Sequence, residues 1–168
     1  MFNLLILIFF KRLSLRALTS SLSLSVPHSD LFPNSSFTIE TFALPKSVAE
    51  TGAVRTLVAN RTPDIKKTGW SLGITGKQSR RKPQTLVLQV VGKKMNGEIG
   101  EEAIFSDQHI TLNKPYYIGC AFTPATKTAK GLATFFLKDL SNDDEPLLVS
   151  KVEHSILGEF NNNLPMTI

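Results

Sequence analysis

The sequence predicts an all-β chain folded as an antiparallel β-sandwich, and three observations predict it. Short runs alternate apolar and polar side chains with the period of two that a strand needs when one of its faces meets a core. Clusters of Pro, Gly, Asn and Asp separate these runs at intervals of about 8 to 15 residues, as in antiparallel strands joined by short turns. After Ala17, no breaker-free stretch of ten or more residues places apolar side chains at i, i+3, i+4 and i+7, so a helical fold is not expected. The 168 residues, 42% of them hydrophobic, suffice for one domain with its own core. No internal repeat of fixed period points to a propeller or solenoid.

The expected strands follow in order. In residues 19–26, Leu22, Leu24 and Val26 alternate with Ser21, Ser23 and Ser25 until Pro27 ends the run. Residues 36–44 place Phe37, Ile39, Thr41 and Ala43 on one face and Thr38, Glu40, Phe42 and Leu44 on the other, between Pro33-Asn34 and Pro45. Residues 55–59 make a short strand. In residues 69–75, Trp70, Leu72 and Ile74 share one face against Ser71 and Gly73, so Trp70 reads as core. Residues 85–91 are apolar except for Gln89, the pattern of a central strand. Short strands at 103–105 and 109–112 precede a longer pair at 116–122 and 132–137. The polar turn 141–146 leads to a strand at 147–152, and 165–168 reads as the opening of another.

Residues 1–18 are set apart as a leader. Phe2 to Phe10 are apolar except Asn3, a run too short for a bilayer, which takes roughly 20 residues, so no transmembrane span is expected. Lys11, Arg12 and Arg16 follow the run, whereas a secretory signal places its charges before it, so any signal here is atypical.

The net charge of +5 is unevenly placed. From Arg61 to Lys94 nine Lys and Arg face one acid, Asp64; from Met95 onward acids outnumber Lys and Arg about two to one. The excess is one basic loop region. The single cysteine, Cys120, excludes an internal disulfide and reads as a small buried residue.

Ser36-Phe37-Thr38-Ile39-Glu40-Thr41-Phe42-Ala43 resembles the strand that opens many laminin G-like and concanavalin A-like domains, with Phe42 at an aromatic position of that family. Gly69-Trp70-Ser71-Leu72-Gly73-Ile74, Leu112-Asn113-Lys114-Pro115-Tyr116-Tyr117-Ile118 and Thr134-Phe135-Phe136-Leu137-Lys138-Asp139-Leu140 are similar to later stretches of the same family, in the same order. Over roughly residues 25–168 the chain is similar to the laminin G-like module of large secreted bacterial proteins that also carry c-type cytochrome-like domains. The resemblance implies a jelly roll, a secreted, periplasmic or cell-envelope location, and a carbohydrate or protein ligand. The family's closing strand has no counterpart after Ile168, so the expected domain, residues 19–168, is C-terminally truncated. A sandwich without that strand has an open edge, at which pairing with another chain is expected.

No Glu-x-Asp-x-x-Glu strand supplies the paired carboxylates of a glucanase, so no enzyme is expected. Glu101-Glu102 and Asp143-Asp144-Glu145 read as solvated charges, and His28, His109 and His154, with no ligand spacing, as surface residues. Calcium is the one cofactor considered: laminin G-like domains sometimes hold it at a loop rim, and Asp64, Asp107 and Asp143 are its candidate ligands here. Lys77, Arg80 and Arg81 lie on a basic loop suited to anionic glycans. That loop lacks the interleaved aromatics of a nucleic-acid site, so no nucleic-acid partner is expected. Tyr116 and Tyr117 are candidate sugar platforms, of which only one can face outward. The sequence thus predicts a non-catalytic recognition module, with a structural spacer or ligand-free remnant as the alternative.

Overall fold

The computed structural model describes residues 4–8, 13–17, 24–30, 32–160 and 163–168. Twelve strands, β1 (Leu4–Ile8), β2 (Leu13–Ala17), β3 (Ser25–Val26), β4 (Phe37–Ala43), β5 (Val54–Asn60), β6 (Gly69–Thr75), β7 (Thr85–Lys93), β8 (Ile99–His109), β9 (Tyr116–Thr123), β10 (Gly131–Asp139), β11 (Leu148–His154) and β12 (Met166–Thr167), form two antiparallel sheets. The first runs β11-β10-β9-β4-β1-β2 and the second β3-β12-β5-β6-β7-β8. They pack face to face as a jelly-roll-like sandwich, and no helix occurs among the described residues.

Alternation sets the faces. In β4 the residues Phe37, Ile39, Thr41 and Ala43 point to the core while Thr38, Glu40 and Phe42 point away, and β9 and β10 pair in the same sense. Between the sheets Trp70 of β6 stacks on Phe37 of β4 with ring centroids 4.8 Å apart. Phe37 stacks on Phe122 of β9 at 5.1 Å, and Phe122 on the His154 ring of β11 at 4.5 Å. This stack crosses from the second sheet to the first and then along it. Each ring pair adds about 0.5–1.5 kcal/mol beyond the burial itself. Cys120 is fully buried, and burial raises its thiol pKa well above the ordinary value.

Several expectations change. His154 is a core residue, 2% exposed, because Val152 and His154 occupy the inward positions of β11. Its Nε2–H donates to the Thr123 carbonyl at 3.1 Å and its Nδ1 accepts the Ile156 N–H at 3.2 Å, which fixes the neutral tautomer. Burial accordingly lowers its pKa, against the opposing pull of Glu102 and of the Thr123 hydrogen bond. Glu101 and Glu102 lie within a strand and are hydrogen-bonded: Glu101 to Arg61 and Gln89, Glu102 to Ser155. The short strand expected at 103–105 is part of a longer one, β8, whose register shifts opposite Thr85 to Val87, and of the strand expected at 109–112 only His109 belongs to it, residues 110–112 lying past its end. Buried Ser106 and Gln108 continue it, since the Ser106 hydroxyl accepts the Gln108 N–H and the Gln108 amide donates to the Phe135 carbonyl.

At the N-terminal end, within the segment set apart as a leader, the backbone forms β1 and β2. β1 pairs with β4 from Leu4↔Ala43 to Ile8↔Ile39. Of the strand expected at 19–26 only β3 is observed, residues 18–23 lying outside the described set. β12 inserts between β3 and β5.

Candidate binding face

β9 directs Tyr116, Ile118, Cys120 and Phe122 inward, and therefore Tyr117, Gly119 and Ala121 outward. Pairing then determines what surrounds Tyr117. Phe42 of β4 and Lys138 of β10 lie opposite it, and one pair further along Glu40 and Phe136 lie opposite Gly119. Gly119 has no side chain to hold these neighbours apart. A Cβ there would stand 3.2 Å from Phe136 Cβ, Phe136 Cδ2 and Tyr117 Oη, so the two rings close over the glycine. Tyr117 and Phe42 rings meet at 5.6 Å, tilted by 55°. Val149 of β11, half exposed, sits opposite Phe136 and extends the strip to the sheet edge.

Phe42, Tyr117, Phe136 and Val149 thus form an apolar band across four strands on the outer side of the first sheet. One carboxylate is set into it: Tyr117 Oη donates to Glu40 Oε1 at 2.6 Å. Partial burial, and then the bond to Glu40, raise the phenol pKa well above its ordinary value, so Tyr117 stays a neutral donor. Glu40 Oε2 has no hydrogen-bond partner among the described residues. Lys138 is committed elsewhere, donating to the carbonyls of Asp143 at 3.3 Å and Glu145 at 2.5 Å and tying down the loop after β10.

Such a surface has two chemical capacities. The rings present negative π faces to weakly positive C–H groups, and the carboxylate accepts hydroxyl donors. An apolar floor with a few fixed polar groups is the usual make-up of a small-ligand site.

The residues singled out from sequence do not converge. Tyr116 is a core residue, 4% exposed, whose hydroxyl accepts the Thr111 N–H at 3.2 Å, so it offers no platform. Lys77, Arg80 and Arg81 lie on the loop from β6 to β7 in the second sheet, away from Tyr117. Lys77 pairs with Glu50 at 2.8 Å, Arg80 is exposed, and the Arg81 guanidinium lies 5.7 Å from the centre of the Phe105 ring. Asp64 accepts the Lys66 N–H in the loop from β5 to β6, Asp107 pairs with Lys82 at the opposite end of the second sheet, and Asp143 is in the exposed loop after β10. These three acids are not brought together. Among the described residues no group of three or more His, Cys, Asp or Glu side chains is placed to hold a metal ion.

Nothing in the sequence marks Phe136 or Val149 as site residues, and it offers Glu40 only as a face-mate of Phe42, which the resemblance sets at an aromatic position. The alternation of residues 36–44 does put Glu40 and Phe42 on one side. Only the register of β4 against β9 brings them to Tyr117. No family model, curated protein or solved structure matches the chain.

Proposed function

We propose that this chain is a non-catalytic recognition module that binds a carbohydrate on the outer side of its first sheet. The observation that carries this reading is the band of Phe42, Tyr117 and Phe136 that the described residues leave uncovered around Gly119, with Glu40 held among the rings. A sugar ring laid on Tyr117 and Phe42 covers apolar surface that water now meets. Its hydroxyls have Glu40 Oε2 as an acceptor, while the bond from Tyr117 keeps that carboxylate in place. Because both groups are positioned before binding, little side-chain entropy is lost on association. The likeness of residues 36–43 to the opening strand of laminin G-like modules also supports a secreted recognition role.

The test is a glycan array, with and without calcium, followed by titration of the best sugar against variants. Saturable binding to one sugar class is expected, abolished by Tyr117→Ala and strongly weakened by Phe42→Ala. Arg81→Ala, in the other sheet, leaves it unchanged. Silence across the array overturns the proposal in favour of a structural spacer.

A further inference from the structure

β8 and β11 are the edge strands of their respective sheets and come together along one side of the sandwich. They converge where Glu102 Oε2 accepts the N–H and hydroxyl of Ser155, at 3.1 and 2.7 Å. Alongside Val152 and Glu153 an open groove of about 430 Å³ separates them, with Glu102, Ile104, Phe105 and Arg81 on its other wall. That volume lies in the usual range for ligand sites.

Three features of this groove point to one occupant. First, β8 pairs only with β7, so the N–H and C=O groups on its groove side lack a main-chain partner from Ile99 to Phe105 among the described residues. Such an edge is a template for an added strand. Second, the groove is electrically polarised. Arg81, with no ion pair among the described residues, stands over Phe105 at one end beside Lys82, which pairs with Asp107, and at the other stand Glu102 and Glu153, the latter also paired with Lys130 at 3.1 Å. Third, β8 carries Glu101, Glu102 and Asp107 and no Lys or Arg. Two copies pairing on this edge would bring like charges together, which disfavours a second copy of the chain.

We propose that this groove docks an extended peptide, added antiparallel to β8, that presents an acid to Arg81 and a base to Glu102 and Glu153. The register follows from the alternation of β8. A residue opposite Phe105 points outward, toward Arg81; the next, opposite Ile104, points inward, toward Val152; the one opposite Glu102 points inward again. The motif is therefore acid, aliphatic, any residue, base, read from the peptide N-terminus. This site is separate from the aromatic face and does not depend on it.

The probes are the capped peptide Thr-Glu-Val-Thr-Lys-Thr, the same residues in reverse order, and a charge-swapped form with Lys and Glu exchanged. Binding is read by fluorescence anisotropy of labelled peptide, and its place by hydrogen exchange on the full chain. The forward peptide is expected to bind and to protect amides within β8, while the reverse peptide binds about fivefold or more weakly, as loss of exposed charge pairs implies. Arg81→Glu, a change at an exposed loop position, weakens the forward peptide and restores binding of the charge-swapped one. Equal binding of forward and reverse peptides overturns the proposal, as does protection outside β8 and β11. A dimer whose β8 amides are protected without peptide also overturns it, making a second copy the occupant.

Discussion

Every residue of β6 is buried, whereas burial in β10 alternates from Gly131 to Leu137, leaving Phe136 and Lys138 partly open on the outer side. Two strands each flanked by a neighbour on both sides thus treat their outer sides differently. On the second sheet Gly69, Ser71 and Gly73 keep the surface low, and neighbouring side chains lie down over it. Val54 Cγ1 would stand 2.5 Å from a Cβ at Gly73, and Arg61 Cβ 2.9 Å from one at Gly69. From there Arg61 crosses above Val91 to reach Glu101 Oε1 at 2.7 Å. Gln89 joins the same oxygen at 3.2 Å, and the Ser71 hydroxyl donates to Gln89 Oε1 at 3.4 Å. The first sheet sets aromatic rings around its outward glycine, Gly119, and among the described residues no side chain is laid over them. Polar groups satisfied within the chain make a closed surface, and uncovered rings beside a half-used carboxylate make one that can receive a ligand.

Adding one methyl group at equivalent places on the two sheets breaks this comparison most sharply. At Gly73 the new Cβ would meet the Arg55 carbonyl at 2.7 Å as well as Val54, so β5 must shift to admit it. Gly73→Ala should cost about 3 kcal/mol, the upper end of overpacking penalties, measured by urea unfolding. At Gly119 the obstacles are side-chain atoms at 3.2 Å that can give way. Gly119→Ala should cost less than about 1 kcal/mol while lowering sugar affinity, because the rings part. Equal destabilisation by both would remove the distinction between a closed side and an adaptable one.

Acid acts on the interior that both sheets share. His154 has a folded-state pKa lowered from 6.5 by burial, so its contribution is complete above that value. As pH falls below 6.5 the unfolded chain takes up a proton that the folded chain resists, and stability declines toward the folded-state pKa. Melting temperature followed from about pH 7.5 to about pH 5 should fall in this way, and the slope should shrink in His154→Phe. Unchanged slope in the variant would assign the acid sensitivity to other groups.

Arg61→Ala tests the closed side alone. It uncovers Val91 and removes the donor that Glu101 shares with Gln89, at a cost of about 2 kcal/mol with sugar binding intact.

Period-two alternation was enough to read β4 and the inward setting of Trp70 in β6, because a strand against a core constrains every second residue, but it makes β6 a half-buried strand, whereas its outer side is covered as well. It failed where polar residues occupy interior positions. Ser106 and Gln108 looked like an interruption and are interior positions of β8, held by each other and by the Phe135 carbonyl. His154 looked like a surface residue, and only the rings and carbonyl around it make burial tolerable. The binding band was illegible for a related reason. Glu40 and Tyr117 stand 77 positions apart, and nothing local in either run specifies that β4 pairs with β9 in the register that joins them.

The smallest change separates the two capacities assigned to the open side. Tyr117→Phe keeps the ring against Phe42 and over Gly119 but removes the donor that holds Glu40 Oε1. The lost hydrogen bond should cost about 1 kcal/mol, since the carboxylate can turn to water. Sugar affinity should fall by less than about tenfold, in contrast to its loss in Tyr117→Ala, because the stacking surface survives and only the fixed position of the acceptor is given up. If Tyr117→Phe abolishes binding as fully as Tyr117→Ala, the oriented carboxylate dominates recognition and the rings serve mainly to hold it. An unaltered affinity would instead make the face an apolar platform to which Glu40 adds nothing.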